Sequence, residues 1–136
     1  MNWRRILLAG VAAGIFFSAV DFIGYGLILG DAYMRLTESG VILAEPRFVF
    51  LPLAFLLAFA IGIGLSFTYA AMRTRLGAGP NTALALGLVA FLLLLPSELF
   101  HGAWTHMTPE VVWGSVAVQA CRAFGSSLVA GWLYRE

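Results

Sequence analysis

Four polar residues lie inside long apolar stretches of the sequence, where ionisable side chains are rare. They are Asp21, Glu98, Gln119 and Arg122. Charged groups in such stretches are costly to bury and usually face neighbouring helices. The arginine fork carries five donors and can bridge two carboxylates. We therefore predict that Arg122 contacts Asp21, Glu98 or both at an ion-pair distance of about 4 Å.

The depths of these residues along their helices agree with one cluster. At a rise of about 1.5 Å per residue, Asp21 and Glu98 lie roughly 24–25 Å from the basic ends of their helices. Gln119 and Arg122 lie roughly 20–24 Å from that end and share one helix face. The pattern predicts an intramembrane polar cluster that is either a proton or ion site or a structural clamp between helices.

His101 is the candidate ligand for a metal or haem. It follows Glu98 by one helical turn, which gives the motif Glu-x-x-His. Di-iron carboxylate bundles use this motif twice, with further Glu residues, whereas this sequence has it once. We therefore predict no metal site and no cofactor, and retain haem or metal binding through His101 as an alternative.

The elements that carry these residues are four long apolar stretches. They cover about 6–29, 48–72, 82–104 and 111–134 of the 136 residues. Each exceeds the roughly 20 residues that a helix needs to cross the hydrocarbon core of a bilayer. The chain is 61% hydrophobic and 11% charged, against about 25% charged in soluble domains. We predict an all-α fold: one transmembrane domain, 1–136, forming an integral membrane four-helix bundle in a lipid bilayer.

Two patterns bear on how the helices pack. The stretch Leu65–Arg73 loosely matches Leu128–Arg135, which suggests a weak two-plus-two repeat or a chance similarity between apolar helices. The motif Gly10-x-x-x-Gly14 permits close helix contact. That contact is either internal to the bundle or between copies of the chain.

Arginine placement predicts the orientation in the membrane. Five arginines fall on one side of the predicted spans, namely Arg4, Arg5, Arg73, Arg75 and Arg135. The other side has Arg35 and Arg47. Because basic residues accumulate on the cytoplasmic side, we predict that both termini are cytoplasmic.

Several function classes find no support in the sequence. The net charge of +1 provides no field for nucleic acid. The motifs GxxxxGK[ST], HExxH, GxSxG and CxxC are absent, and we predict that the protein is not an enzyme. The first hypothesis is an accessory or interaction subunit, bound to other membrane subunits or to itself as a homo-oligomer. The alternatives are a small proton- or ion-coupled transporter or channel, and a haem- or metal-binding subunit.

Three segments carry a resemblance to a known family. They are 1–10 (MNWRRILLAG), 69–83 (YAAMRTRLGAGPNTA) and 131–136 (GWLYRE). On these segments the chain resembles an uncharacterised family of small bacterial four-helix integral membrane proteins that has no assigned activity. The resemblance implies a bacterial inner-membrane location and no particular mechanism.

Overall fold

A computed structural model describes residues 2–43, 45 and 50–134, and these residues are almost entirely helical. They contain no β-strand, so the predicted all-α class is confirmed. The elements are α1 (Trp3–Asp21), which continues as a π-helical segment (Phe22–Ile28), α2 (Gly30–Glu38), α3 (Phe50–Leu76), α4 (Pro80–Trp104) and α5 (Pro109–Leu133).

The predicted count of four helices is wrong, because the described residues form five α-helices. The additional helix is α2, in the segment that connects the first two apolar stretches. Asp31 lies in its first turn and Arg35 in its last turn, where each charge is favourable to the helix dipole. Ala32 and Leu36 are buried with Val111 of α5. Packing against α5 thus stabilises a helix in a segment too polar and too short to span a bilayer.

Three helical segments are long and apolar enough to cross a membrane: Trp3–Ile28, Phe50–Leu76 and Pro80–Trp104. These features indicate a membrane protein. Within the described residues, α5, which contains most of the fourth predicted stretch 111–134, is not among them. Its composition explains the difference, because Gln119, Arg122 and three serines lower its hydropathy.

The four long helices form a bundle in which the closest neighbours follow the order α3, α1, α5, α4, and α3 also contacts α5 and α4. Within the described residues α5 contacts every other helix as well as the π-helical segment. Its buried residues are Val111, Ser115, Val118, Gln119, Ala123, Ser126, Ser127 and Ala130. The long helix that is not apolar enough to be a candidate span therefore has polar residues, Ser115, Gln119, Ser126 and Ser127, on the face that packs against other helices.

Glycines allow α1 and α3 to approach until their backbones touch. A Cβ atom built on Gly62 of α3 would lie 2.5 Å from the backbone nitrogen of Gly14. A Cβ atom on Gly10 would lie 2.5 Å from the Cα atom of Ile63, and one on Gly14 would lie 2.9 Å from the Cα atom of Phe59. The Gly10-x-x-x-Gly14 motif thus serves packing inside the molecule.

Hydrogen bonds bring residues 2 and 134 to the same end of the molecule. The backbone N–H of Asn2 donates to the hydroxyl of Tyr134 at 3.3 Å, and Arg73 Nη1 donates to the carbonyl of Tyr134 at 3.4 Å. The turn between α3 and α4 lies there as well, since the N–H of Gly79 donates to the hydroxyl of Tyr69 at 3.0 Å. We call the end of the molecule that contains residues 2 and 134 and the α3–α4 turn the terminal end.

Part of the arginine pattern lies outside the described residues, namely Arg47 and Arg135, as does the predicted start of the second stretch at position 48. The described arginines Arg4, Arg5, Arg73 and Arg75 belong to the first turns of α1 and the last turns of α3. Four positive charges therefore lie towards the terminal end.

The backbone contact between α1 and α3 predicts a stability difference between two glycines of one helix. The change Gly62→Ala places a methyl group against the α1 backbone, and such overpacking costs about 1–3 kcal/mol. The change Gly64→Ala is the matched control, because no atom lies within 4 Å of a Cβ there and alanine favours helix by up to about 1 kcal/mol. Thermal unfolding followed by circular dichroism in mild detergent should give a lower midpoint for Gly62→Ala only. Equal midpoints would contradict the close approach.

Candidate functional site

Arg122 lies between two carboxylates that belong to different helices. Its Nη1 atom donates to Asp21 Oδ1 at 2.8 Å, and its Nη2 atom lies 3.6 Å from Glu98 Oε1. Both distances are within the 4 Å range predicted for this arginine. The shorter contact is a charge-assisted hydrogen bond, and the longer one is an ion pair without a hydrogen bond. The guanidinium is therefore held more closely by Asp21 than by Glu98.

Three helices each contribute one member of this group, which we call the charged cluster (Asp21, Glu98 and Arg122). Asp21 is the last residue of α1, Glu98 lies in α4, and Arg122 lies in α5. Because α1 and α4 both pack against α5 and make no contact with each other within the described residues, the two carboxylates approach the guanidinium from two directions. The cluster thus connects α1 and α4 through α5.

Aromatic rings complete the environment of the guanidinium. The Cζ atom of Arg122 lies 4.9 Å from the ring centroid of Phe17 and 5.7 Å from that of Tyr25. Both distances are in the range of cation–π attraction. The side chain of Arg122 is only 12% exposed, against 23% for Glu98 and 34% for Asp21. The arginine is therefore the enclosed member of the cluster, and Asp21 is the accessible one.

The structure separates the other two candidate residues from this ion pairing. Gln119 lies one turn before Arg122 and is 2% exposed, but its Oε1 atom has no hydrogen-bond partner among the described residues. His101 is exposed, and its carbonyl accepts a hydrogen bond from Thr105 Oγ1. Within the described residues no three His, Cys, Asp or Glu side chains are grouped to hold a metal ion. Metal or haem binding at His101 stays an alternative to the prediction of no cofactor.

Sequence reasoning missed the α1 and π-helix residues that surround Asp21. Phe17 and Tyr25 are four residues before and after it, and Ser18 is three residues before it. Residues at these spacings share a helix face, so helical periodicity around Asp21 could have predicted that these side chains lie beside it. The π-helical segment itself, in which the N–H of Leu29 donates to the carbonyl of Gly24 at 2.9 Å, has no comparable signal in an apolar sequence.

Buried polar atoms without partners extend from the cluster along α5. Among the described residues, such atoms include Gln119 Oε1, Arg122 Nε and the Oγ atoms of Ser18, Ser66, Ser126 and Ser127. Residues 119, 122 and 126 follow each other at helical spacing, so they lie along one face of α5. Buried polar atoms are nearly always hydrogen-bonded, to protein or to water. These atoms therefore mark interior positions along α5 where water can bind.

A second polar group links the cluster to the opposite end of the molecule. The rings of Tyr25 and Tyr33 are 5.6 Å apart in an edge-to-face arrangement, and the hydroxyls of Tyr33 and Ser115 are 3.3 Å apart. Near the start of α5 an exposed ion pair joins Arg35 to Glu110 at 3.3 Å. Polar groups thus occur on both sides of the charged cluster along the molecule.

An open crevice borders the cluster between α1 and α3. Its volume is about 890 Å³. Its described lining is Ser18, Asp21, Phe22, Tyr25, Gly26, Leu51, Ala54, Phe55 and Ala58. We call it the lateral crevice. Asp21 is the one charged residue of this described lining, so the accessible carboxylate of the cluster faces an otherwise mostly apolar space.

This arrangement has a simple chemical capacity. Two carboxylates and one guanidinium carry a formal charge of −1, and the excess charge is favourable to a proton or another cation. Because Arg122 contacts both acids, it can remain paired with one while the other binds a new cation. The site offers cation exchange and proton binding, and among its described residues no nucleophile is paired with a base.

The fold and the cluster define a helical protein with the features of a membrane protein and an ionised group between its helices. Comparison with protein-family models, with curated proteins and with solved structures finds no match to the chain. The resemblance to a family of small bacterial membrane proteins stays a prediction.

The charged cluster predicts that replacing Arg122 lowers the stability of the fold and that replacing Asp21 and Glu98 as well restores most of it. The change Arg122→Met leaves two carboxylates without a partner. Breaking a buried ion pair costs about 3–5 kcal/mol, and we expect about 2 kcal/mol because Asp21 is a third exposed. The triple change Arg122→Met, Asp21→Asn and Glu98→Gln removes all three charges and should restore most of the stability.

Unfolding by transfer from mild detergent into dodecyl sulfate measures these differences. The expected order of stability places the wild type and the triple variant above Arg122→Met. A triple variant no more stable than Arg122→Met would show that the three charges do not act together.

Proposed function

We propose that the chain is a non-enzymatic, multi-pass protein of a bacterial inner membrane with both termini cytoplasmic. Three apolar helices of membrane-spanning length support the membrane location. The four described arginines towards the terminal end support the orientation, since positive residues accumulate on the cytoplasmic side. Placed this way, the charged cluster lies in the half of the membrane farther from the cytoplasm.

Within that membrane we propose that the protein is a small transporter or channel for protons or small ions. The observation that carries this proposal is the charged cluster: one enclosed arginine, two acids and an excess negative charge inside an apolar bundle. Ionisable residues at membrane depth commonly belong to ion pathways and proton relays. A clamp that only fixed helix positions has no need of an accessible member, whereas Asp21 is a third exposed and opens onto a crevice.

The polar groups on either side of the cluster support a path across the molecule. Towards the terminal end, Ser126 and Ser127 are buried on α5 and their hydroxyls have no partner among the described residues. Towards the other end, a series of contacts leads from the cluster to Tyr25, from Tyr25 to Tyr33, and from Tyr33 to Ser115. In this proposal protons or ions exchange at Asp21 and Glu98, and Arg122 moves its pairing from one acid to the other.

A flux assay in proteoliposomes tests this function. Purified protein is reconstituted, a pH or monovalent-cation gradient is imposed, and dissipation is followed with an internal dye. We expect flux above that of protein-free liposomes, and a loss of at least about ten-fold in Asp21→Asn and in Glu98→Gln because each removes an exchangeable charge. Asp31→Asn is the matched control, since Asp31 is exposed on α2 and outside the cluster.

Two outcomes would overturn the proposal. One is a wild-type flux equal to that of empty liposomes for protons and for monovalent cations. The other is an unchanged flux in both Asp21→Asn and Glu98→Gln.

A second candidate function is an accessory subunit or a homo-oligomeric module. The first turns of α3 favour it, because the residues from Phe50 to Leu57 are all exposed. On α4 the rings of Phe100 and Trp104 are exposed and 6.0 Å apart. Other membrane subunits or further copies of the chain could cover these apolar surfaces, as lipid does.

Native mass spectrometry in mild detergent distinguishes this second function. An oligomer of defined number, or a complex of defined composition, is the expected result for an interaction module. A strictly monomeric particle that co-purifies with no other protein would contradict it.

A further inference from the structure

The lateral crevice has the size and lining of a small-molecule site. Its volume of about 890 Å³ falls within the range of roughly 300–1,000 Å³ that is usual for ligand pockets. Apolar side chains from α3 form one wall, among them Leu51 and Phe55, and the wall from α1 carries Ser18 and Asp21. A mostly apolar pocket with a few polar groups at one side orients a ligand that has one polar group.

Charge determines which polar group fits. Asp21 lines the crevice, while Glu98 and Arg122 are not part of its described lining. The cluster carries one carboxylate more than it needs to balance Arg122. If a cation pairs with Asp21 from the crevice, Arg122 can keep Glu98, from which it is already only 3.6 Å away. Both carboxylates then have a partner, and the negative excess of the cluster is neutralised.

Aromatic side chains favour an organic cation over a hydrated metal ion. Phe22 and Tyr25 line the crevice on the side of Asp21, and Phe55 lines it on α3. Aromatic faces attract weakly hydrated cations such as quaternary groups. A hydrated inorganic ion would have to lose its water against a wall that offers few oxygen ligands. The apolar wall instead matches a ligand with an apolar body.

We propose that the lateral crevice binds an amphipathic organic cation, with its single positive charge at Asp21 and its apolar body against α3. This proposal goes beyond the proposed transport of protons or small ions, and the two share only Asp21. Binding itself is measured without flux, so the two proposals can fail separately. The competing occupant is a lipid acyl chain, which is neutral and makes no use of Asp21.

Tetraphenylphosphonium is the probe, and tetraphenylborate is its anionic counterpart of nearly the same shape. Binding to purified wild-type protein in nanodiscs of zwitterionic lipid is measured by equilibrium dialysis, with empty nanodiscs subtracted. We expect saturable binding of the phosphonium and no saturable binding of the borate. Asp21→Asn should weaken phosphonium binding by at least about ten-fold, because the variant loses the coulombic attraction between the carboxylate and the cation.

A second pair of variants tests the crevice without changing the cluster. Ala54→Trp fills the crevice, because Ala54 is in its lining, and should weaken binding by at least about ten-fold. Ala60→Trp is the matched control, since Ala60 is exposed on the same helix outside that lining, and its binding should stay within about two-fold of the wild type. These variants keep the test valid even if Asp21→Asn does not fold.

Three results would overturn the proposal: no saturable phosphonium binding by the wild type, equal binding of the phosphonium and the borate, or unchanged binding in Ala54→Trp. Phosphonium binding in a protein that shows no flux would refute transport and leave the site standing. Flux of protons or small ions without phosphonium binding would refute the binding site in the crevice and leave the transport function standing.

Discussion

The structure depends on one constraint: the guanidinium of Arg122 is enclosed among helices and must have negative partners there. An arginine at membrane depth costs about 2.5–3.5 kcal/mol on insertion scales, and more in simulations, when nothing compensates its charge. Asp21 and Glu98 supply that compensation from α1 and α4, at 2.8 and 3.6 Å. The central position of α5 follows from the same constraint, since a helix with Gln119 and Arg122 on its buried face needs polar neighbours on both sides.

Close packing at glycines explains how the charged cluster can be enclosed while Asp21 stays accessible. The contact of Gly10 and Gly14 with α3 holds α1 and α3 together in the half of the molecule nearer the terminal end. Beyond Ala58 the residues of α3 towards its start are exposed, and the lateral crevice lies there between the two helices. The part of the α1–α3 pair that is packed through glycines thus holds the two helices together, and the part beyond it leaves Asp21 accessible.

The sequence predicted the all-α class and the residues of the ion pair, because hydropathy and helical rise are properties of the chain itself. Counting residues from the basic ends placed Asp21, Glu98 and Arg122 at one depth, and packing brings them into contact. The count of four helices was wrong because α2 depends on a tertiary contact with Val111. The number of apolar spans differs for another reason, since the hydropathy of α5 is lowered by residues that the bundle encloses.

Other features of the site follow from the way the helices associate, which no single segment encodes. The lateral crevice requires both α1 and the start of α3. The role of Tyr25 depends on the π-helical segment Phe22–Ile28, which an apolar run with two glycines does not distinguish from an α-helix. Gln119 lies one turn from Arg122 on α5, but its Oε1 atom is without a partner among the described residues, and its part in the predicted polar cluster stays a prediction.

The pairing of Arg122 with both acids can be measured in an experimental structure in lipid nanodiscs, at a resolution that shows side chains. The quantity to measure is the distance from the guanidinium nitrogens of Arg122 to the carboxylate oxygens of Asp21 and Glu98. We expect one hydrogen bond to Asp21 near 2.8 Å and Glu98 within 4 Å. A guanidinium that points towards acyl chains, with neither carboxylate within that range, would contradict it.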